Sequence, residues 1–153
     1  MWKRKKSSSR KVKRFVNKIP SVKTLDDLWR EACMARDGNK CVYTYEIYKT
    51  VLERNQTVLQ VHHLMRKGTF RLRWDLANGI TITKGIHYGV AHSNSPTVEN
   101  QFRGWALDRL PAKDRDALEL LERMKSCGGV DRFAVKLYLE KKLMEYSKRG
   151  ELT

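Results

Sequence analysis

All four histidines of the chain, His62, His63, His87 and His92, fall between Val61 and His92, and an Asn78-Gly79 step lies among them. Imidazole is a side chain that both ligates divalent ions and exchanges a proton near neutral pH. Taken singly, each histidine is ordinary, since most are surface groups or hydrogen-bonded core groups. The combination carries the signal. Two adjacent histidines and another histidine twenty-four residues after the second, with an asparagine between them, could supply metal ligands and a base.

These residues need elements to hold them. Thr57 to His63 reads as a strand, with Val58, Gln60 and His62 on one face and Leu59, Val61 and His63 on the other. Adjacent strand residues point oppositely, so His62 and His63 are expected to address different partners. Leu64 to Ala77, with Gly68 and a cluster of arginines, reads as a loop. Ile80 to Thr83 is a second β-favouring run, opening after Asn78, and Lys84 to His92 suits a short helix with His87 and Ala91 one turn apart. The order is strand, loop, strand, helix.

Around this unit the pattern is helical. Ser21 or Thr24 can cap a helix whose Leu25, Leu28, Trp29 and Ala32 share a face, ending near Asp37-Gly38. Cys41 to Tyr48 is rich in aromatic and β-branched residues and suggests a short strand or turn. Beyond Pro96, three amphipathic helices are expected: one with Val98, Phe102, Trp105 and Leu107, one with Leu118, Leu121 and Met124 stopped by Gly128-Gly129, and one with Phe133, Leu137, Leu139 and Leu143. Those apolar stripes read as packing surface. No internal repeat is visible.

The His62-His63-Leu64 step, the R-W-D-L-A-N-G run at Arg73 to Gly79 and the helix histidine His87 together resemble the HNH endonucleases, in particular those common in phage genomes. The resemblance covers roughly Cys41 to Asn94 and extends more loosely through the C-terminal helices. It implies an α+β fold with a ββα-metal core at about 57–94 and C-terminal helices at about 97–148, the whole domain running over 21–153. It also implies a metal-dependent endonuclease that nicks or cleaves duplex DNA, phage-encoded. A homing role suits the size and basic flanks, and a recombination or packaging nuclease suits the same motif.

Carried over residue by residue, the resemblance makes His62 and His87 the metal ligands, His63 the general base and Asn78 the brace of the intervening loop, orienting the base. Arg73, in the matched R-W-D step, becomes the residue for transition-state charge, since a guanidinium holds a phosphate with two hydrogen bonds. Arg66, Lys67 and Arg71 on the loop, with Lys84, are further DNA contacts, or else solvated surface charge. Trp74 reads as core and Asp75 as a loop brace. His92 stays open between an additional ligand, a phosphate contact and a helix cap.

Two protein ligands leave most of an octahedral shell for water and phosphate oxygen, which favours Mg²⁺ or Mn²⁺ as the one divalent ion, with Ni²⁺, Co²⁺ or Zn²⁺ accepted in vitro. No organic cofactor is implied. The chain departs from the family in one respect. Many relatives carry two C-x-x-C pairs that grip a structural zinc. Here those positions read Cys41 and Thr44, then Thr83 and Ile86, so no structural zinc is expected and apolar packing, with Tyr43, Tyr45, Ile82 and Ile86 as candidates, must replace it.

Charge points to the same partner. The net charge is +15 over 153 residues, which favours an anionic polymer. Nine of the 32 basic groups (Lys3, Arg4, Lys5, Lys6, Arg10, Lys11, Lys13, Arg14 and Lys18) sit with no acid in the first 18 residues, leaving 23 against 17 acids elsewhere. A basic arm over 1–20, disordered when free, would add salt-dependent phosphate contacts, or else serve only as a solubilising or import-like patch. No apolar run approaches the roughly 20 residues that span a bilayer, and the start lacks a signal-peptide pattern. Three widely spaced cysteines, Cys33, Cys41 and Cys127, suit a reducing compartment. A protein of the host cytoplasm, monomeric and acting on DNA, is expected. The rival from another class is a non-catalytic nucleic-acid-binding module, which would have no physical need of the His62, His63, Asn78 and His87 set.

Overall fold

The computed structural model describes residues 18–65, 70–124 and 129–150, which form an α+β molecule, mostly helical, around one two-stranded antiparallel sheet. The basic arm from Lys3 to Arg14, the loop residues Arg66 and Lys67, and Cys127 lie outside the described residues.

Helix α1 (Val22–Arg36) starts at Ser21, whose side chain accepts the Thr24 N–H at 3.0 Å. It ends at Asp37, and Gly38 follows at φ 68°. Its buried face is Leu25, Trp29, Ala32 and Cys33, at helical spacing. Full burial of a Leu or similar side chain contributes roughly 1.5–3 kcal/mol each, so this face is the main tie between α1 and the rest of the core. At its C-terminal end the Arg36 guanidinium donates to the carbonyls of Leu76 and Gly79, and Asp37 accepts the Thr81 N–H at 3.0 Å. The helix is thereby clamped to the second strand.

Cys41 to Tyr48 does not form the expected strand or turn but a helix, α2 (Val42–Tyr48), closed by Lys49 at φ 54°. Tertiary burial decides it: Val42 and Thr44 are buried, and Tyr43 packs on Phe102 and Trp105. Such contacts outweigh β-propensities that span only about 1 kcal/mol. Tyr45, expected to replace zinc as packing, is instead 44% exposed with the Lys40 ammonium over its ring. Ile82 is fully buried and Ile86 packs against the core.

Strands β1 (Leu59–His63) and β2 (Gly79–Thr83) pair with His63 opposite Gly79, His62 opposite Ile80 and Val61 opposite Thr81. Directly opposed residues share a face. His63 and Gly79 therefore look toward α1, and His62 and Ile80 look the other way. Every residue of β2 is buried, as in a sheet covered on both sides. The connecting segment holds a helical turn, α3 (Phe70–Arg73), where a plain loop was expected. Leu72 and Met65 from this segment bury themselves against Leu118.

After β2 comes α4 (Lys84–Ile86), capped by the Thr83 side chain, which accepts the Ile86 N–H at 3.2 Å. It runs directly into a π-helical turn, His87–Ala91. Helices α5 (Pro96–Asp108), α6 (Ala112–Arg123) and α7 (Arg132–Gly150) complete the chain, with α7 lying along α1. The expected α7 stripe is corrected: Leu139 is fully buried, yet Leu137 is 67% exposed. Residues two apart cannot share a helix face. The packed face is Val135, Leu139, Leu143 and Tyr146. Among the described residues no helix is long and apolar enough to cross a membrane.

Candidate metal centre and its histidine base

The sheet divides the two adjacent histidines. His62 projects to the face where α4, the π turn and α5 pack, and its ring lies 5.3 Å from that of His87, 4.8 Å from that of His92 and 5.6 Å from that of Phe102, centroid to centroid. One ligand nitrogen from each of His62, His87 and His92 lies within 4.8 Å of the others. His92 joins through the π turn. Its N–H donates to the His87 carbonyl at 2.9 Å, five residues back, and a turn of that width returns residue i+5 to the side of residue i. Neither alternation nor α-helical periodicity signals such a turn.

The electrostatics of His62 and His87 suit a cation. Burial, and then the neighbouring imidazoles of His92, His87 and His63, push the His62 imidazole down to about 3. Burial and His92 lower His87 as well. Both rings are thus neutral at pH 7, the form that ligates metal. The His87 Nδ1 atom is buried without a hydrogen-bond partner among the described residues, an orphaned acceptor or donor that interiors rarely tolerate. The donor set, the neutrality of these two rings and this orphaned atom fit a divalent ion.

His63 stands apart from that set. Its Nε2 lies 3.0 Å from the main-chain oxygen of Arg73. A carbonyl only accepts, so Nε2 carries the hydrogen and, in the neutral ring, Nδ1 carries the lone pair. The ring also stacks on the indole of Trp29, with centroids 4.0 Å apart and planes 13° off parallel.

Asn78 is fully buried and spans the loop. Its Oδ1 accepts the Met65 N–H at 2.6 Å, and its Nδ2 donates to the carbonyls of Leu72 at 2.8 Å and Met65 at 3.3 Å. Its effect on His63 is indirect, because Leu72 precedes the residue whose carbonyl holds the ring. Asp75 braces the same loop, accepting the Ala77 N–H at 2.9 Å, and Trp74 is buried.

The Arg73 side chain does not reach outward alone. Its guanidinium donates to both oxygens of Asp26, at 2.8 and 2.6 Å, and the Trp74 indole N–H donates to the same carboxylate at 2.9 Å. Asp26 on α1 raises the already high basicity of Arg73. The cleft that holds all four histidines measures about 780 Å³ and is walled by Asp26, Arg30, Arg73, Glu99, Asn100 and Arg103 among others. Arg30 pairs with Asp27, and Arg103 with Glu122 at 2.8 Å. Of the other basic residues expected near DNA, Arg71 and Lys84 are exposed and do not line the cleft.

Sequence reasoning placed Trp29 only on a packing face and passed over Asp26, Arg30, Phe102 and Arg103 as site residues. All lie on α1 or α5, outside the strand–loop–strand–helix segment that carries the histidines, and no local spacing marks them. No protein-family model, curated protein or solved structure matches the chain.

Proposed function

We propose that the chain is a metal-dependent endonuclease of the HNH type that hydrolyses DNA phosphodiester bonds, with β1, β2 and the α4–π segment as its ββα-metal unit. The observation that carries this reading is the division of neighbours on one strand. His62 converges with His87 and His92 at ligand spacing, while His63 turns away with a defined tautomer.

An ion held by His62, His87 and His92 would act as a Lewis acid on a phosphate oxygen and offset the charge that builds on phosphorus. His63 takes a proton from the attacking water at Nδ1. As the ring becomes imidazolium, its Nε2–H bond to the Arg73 carbonyl strengthens into a charge-assisted one. Asn78 keeps that carbonyl in place through the loop. Arg30 and Arg103, whose partners Asp27 and Glu122 are partly exposed, can exchange a carboxylate for a phosphate, because exposed ion pairs are worth only about 0–1 kcal/mol. Arg73, doubly held by Asp26, serves the site through its main chain. The net charge of +15 supplies sequence-indifferent attraction to the substrate.

Three nitrogen donors weigh toward Zn²⁺, Ni²⁺ or Co²⁺, and Mg²⁺ or Mn²⁺ would draw most of their shell from water and phosphate. Supercoiled plasmid incubated with purified protein and each ion in turn tests the function. Nicking or linearisation that EDTA abolishes supports it. Absence of cleavage of plasmid, linear duplex and single strands with every ion refutes it and leaves nucleic-acid binding without catalysis, the reading that the net charge alone would satisfy.

A further inference from the structure

We infer that Arg103, on α5, is the arginine that meets the phosphate between ion and base, and that Glu122, on α6, holds that phosphate's place until DNA arrives. The effect on rate rests on the nuclease reading; the exchange of a carboxylate for a phosphate does not.

Among the described residues three arginines wall the cleft, Arg30, Arg73 and Arg103, and their partners rank them. Arg73 meets Asp26 side-on, with Nε and Nη2 each on one carboxylate oxygen at 2.8 and 2.6 Å, and the Trp74 indole N–H donates to the same group. Two parallel bonds make the firmest form of such a pair, so Arg73 stays with Asp26. Arg103 is held differently. Its Nη2 alone meets both oxygens of Glu122, at 3.1 and 2.8 Å, and donates to the Met65 Sδ at 2.9 Å. Among the described residues its Nε and Nη1 hydrogens have no partner, which leaves an edge of the guanidinium fork for a second anion.

Position separates Arg103 from Arg30. Phe102, the residue before Arg103, sets its ring 5.6 Å from that of His62, on the side of the ion. Met65, which Arg103 touches, lies two residues beyond His63 and is fixed by Asn78, on the side of the base. Both halves of the site thus bound Arg103. Arg30 follows Trp29, which stacks on His63, and pairs with Asp27 of its own helix, so it stands beside the base alone. Glu122 does not line the cleft. Its carboxylate offers the guanidinium two anionic oxygens, as a phosphodiester does, and a partly exposed pair of this kind holds weakly.

Two changes that break one ion pair should therefore act in opposite directions. Binding of a duplex oligonucleotide by the metal-free protein is measured for Arg103→Gln and Glu122→Gln. Lys136→Gln and Glu140→Gln make the same changes of net charge at an ion pair on α7, outside the cleft. Arg103→Gln is expected to weaken binding at least about tenfold and to lower its salt slope by about 1. Glu122→Gln is expected to tighten binding by up to about fivefold, each shift exceeding that of its α7 control. Shifts of the same sign, or no larger than the controls, would reduce the pair to a tie between α5 and α6 and overturn the exchange. Should Arg103→Gln not fold, Glu122→Gln decides, and binding no tighter than that of Glu140→Gln overturns it. Single-turnover cleavage with plasmid and metal saturating tests the position. Arg103→Gln is expected to cut about 100-fold more slowly, the scale of losing one donor to transition-state charge, and a parental rate overturns its place between ion and base. Opposite shifts in binding by a protein that cuts nothing with any ion refute the nuclease reading alone.

Discussion

The main-chain N–H of His92 donates to the carbonyl of His87 across five residues, at 2.9 Å, and this one widened turn sets both imidazoles on the side facing His62. Had the segment continued as an α-helix, His92 would have pointed elsewhere and the cluster would have two members. The π turn thus makes a three-nitrogen site from a two-histidine motif.

Removing members of the cluster should grade metal affinity. His87→Ala deletes the ring whose buried Nδ1 has no other partner among the described residues and is expected to abolish measurable Zn²⁺ binding by calorimetry. His92→Ala, at the exposed edge of the cluster, should weaken it by at least about 10-fold, the loss seen when even the supporting partners of ligating histidines are changed. Unaltered affinity in His92→Ala would return the site to two ligands.

Asn78→Ala should harm the fold as well as the rate. The asparagine was expected to matter chiefly for orienting the base, yet it is fully buried with hydrogen bonds to both ends of the loop. The change strands the buried Met65 N–H, and such an orphan costs about 1–3 kcal/mol. Urea denaturation is expected to show a loss of that order, with faster amide exchange over residues 70–78. A variant as stable as the parent would mean that the loop stands without its brace.

What could be read from the sequence follows periodicity. The alternation at His62 and His63 places them on opposite faces, as the register with Ile80 and Gly79 shows. The α1 face is equally plain and its cap narrows to Ser21 or Thr24, of which the structure uses Ser21, because cap chemistry and helical spacing are local signals. Three kinds of feature were hidden. The α2 helix has a strand's composition, and packing against β2 and α5 makes it helical. The π turn differs from an α turn by one hydrogen bond. Trp29 and Phe102 meet the histidines, and Asp26 lines the same cleft, from segments outside the histidine motif, so only the packed fold identifies them.

Acid should destabilise the metal-free protein through the same cluster. His62 is held at about 3 against an ordinary 6.5, and His87 is lowered too. Between these limits the unfolded chain binds protons that the folded chain refuses. Stability is therefore fully present above about pH 6.5 and is lost as pH falls toward 3. The urea midpoint of metal-free protein is expected to drop steadily from pH 7 to pH 4, and to drop less in His62→Gln. Identical slopes for the two proteins would assign the acid sensitivity to other groups.

The most direct measurement is single-turnover cleavage of supercoiled plasmid by the parent protein and by His63→Ala, with metal and DNA both saturating and their binding measured separately. His63→Ala is expected to keep the ion and the DNA but to cut at least about 100-fold more slowly, since a positioned base contributes about 10²–10⁴-fold. Cleavage by His63→Ala at the parental rate would contradict the role of His63 as base.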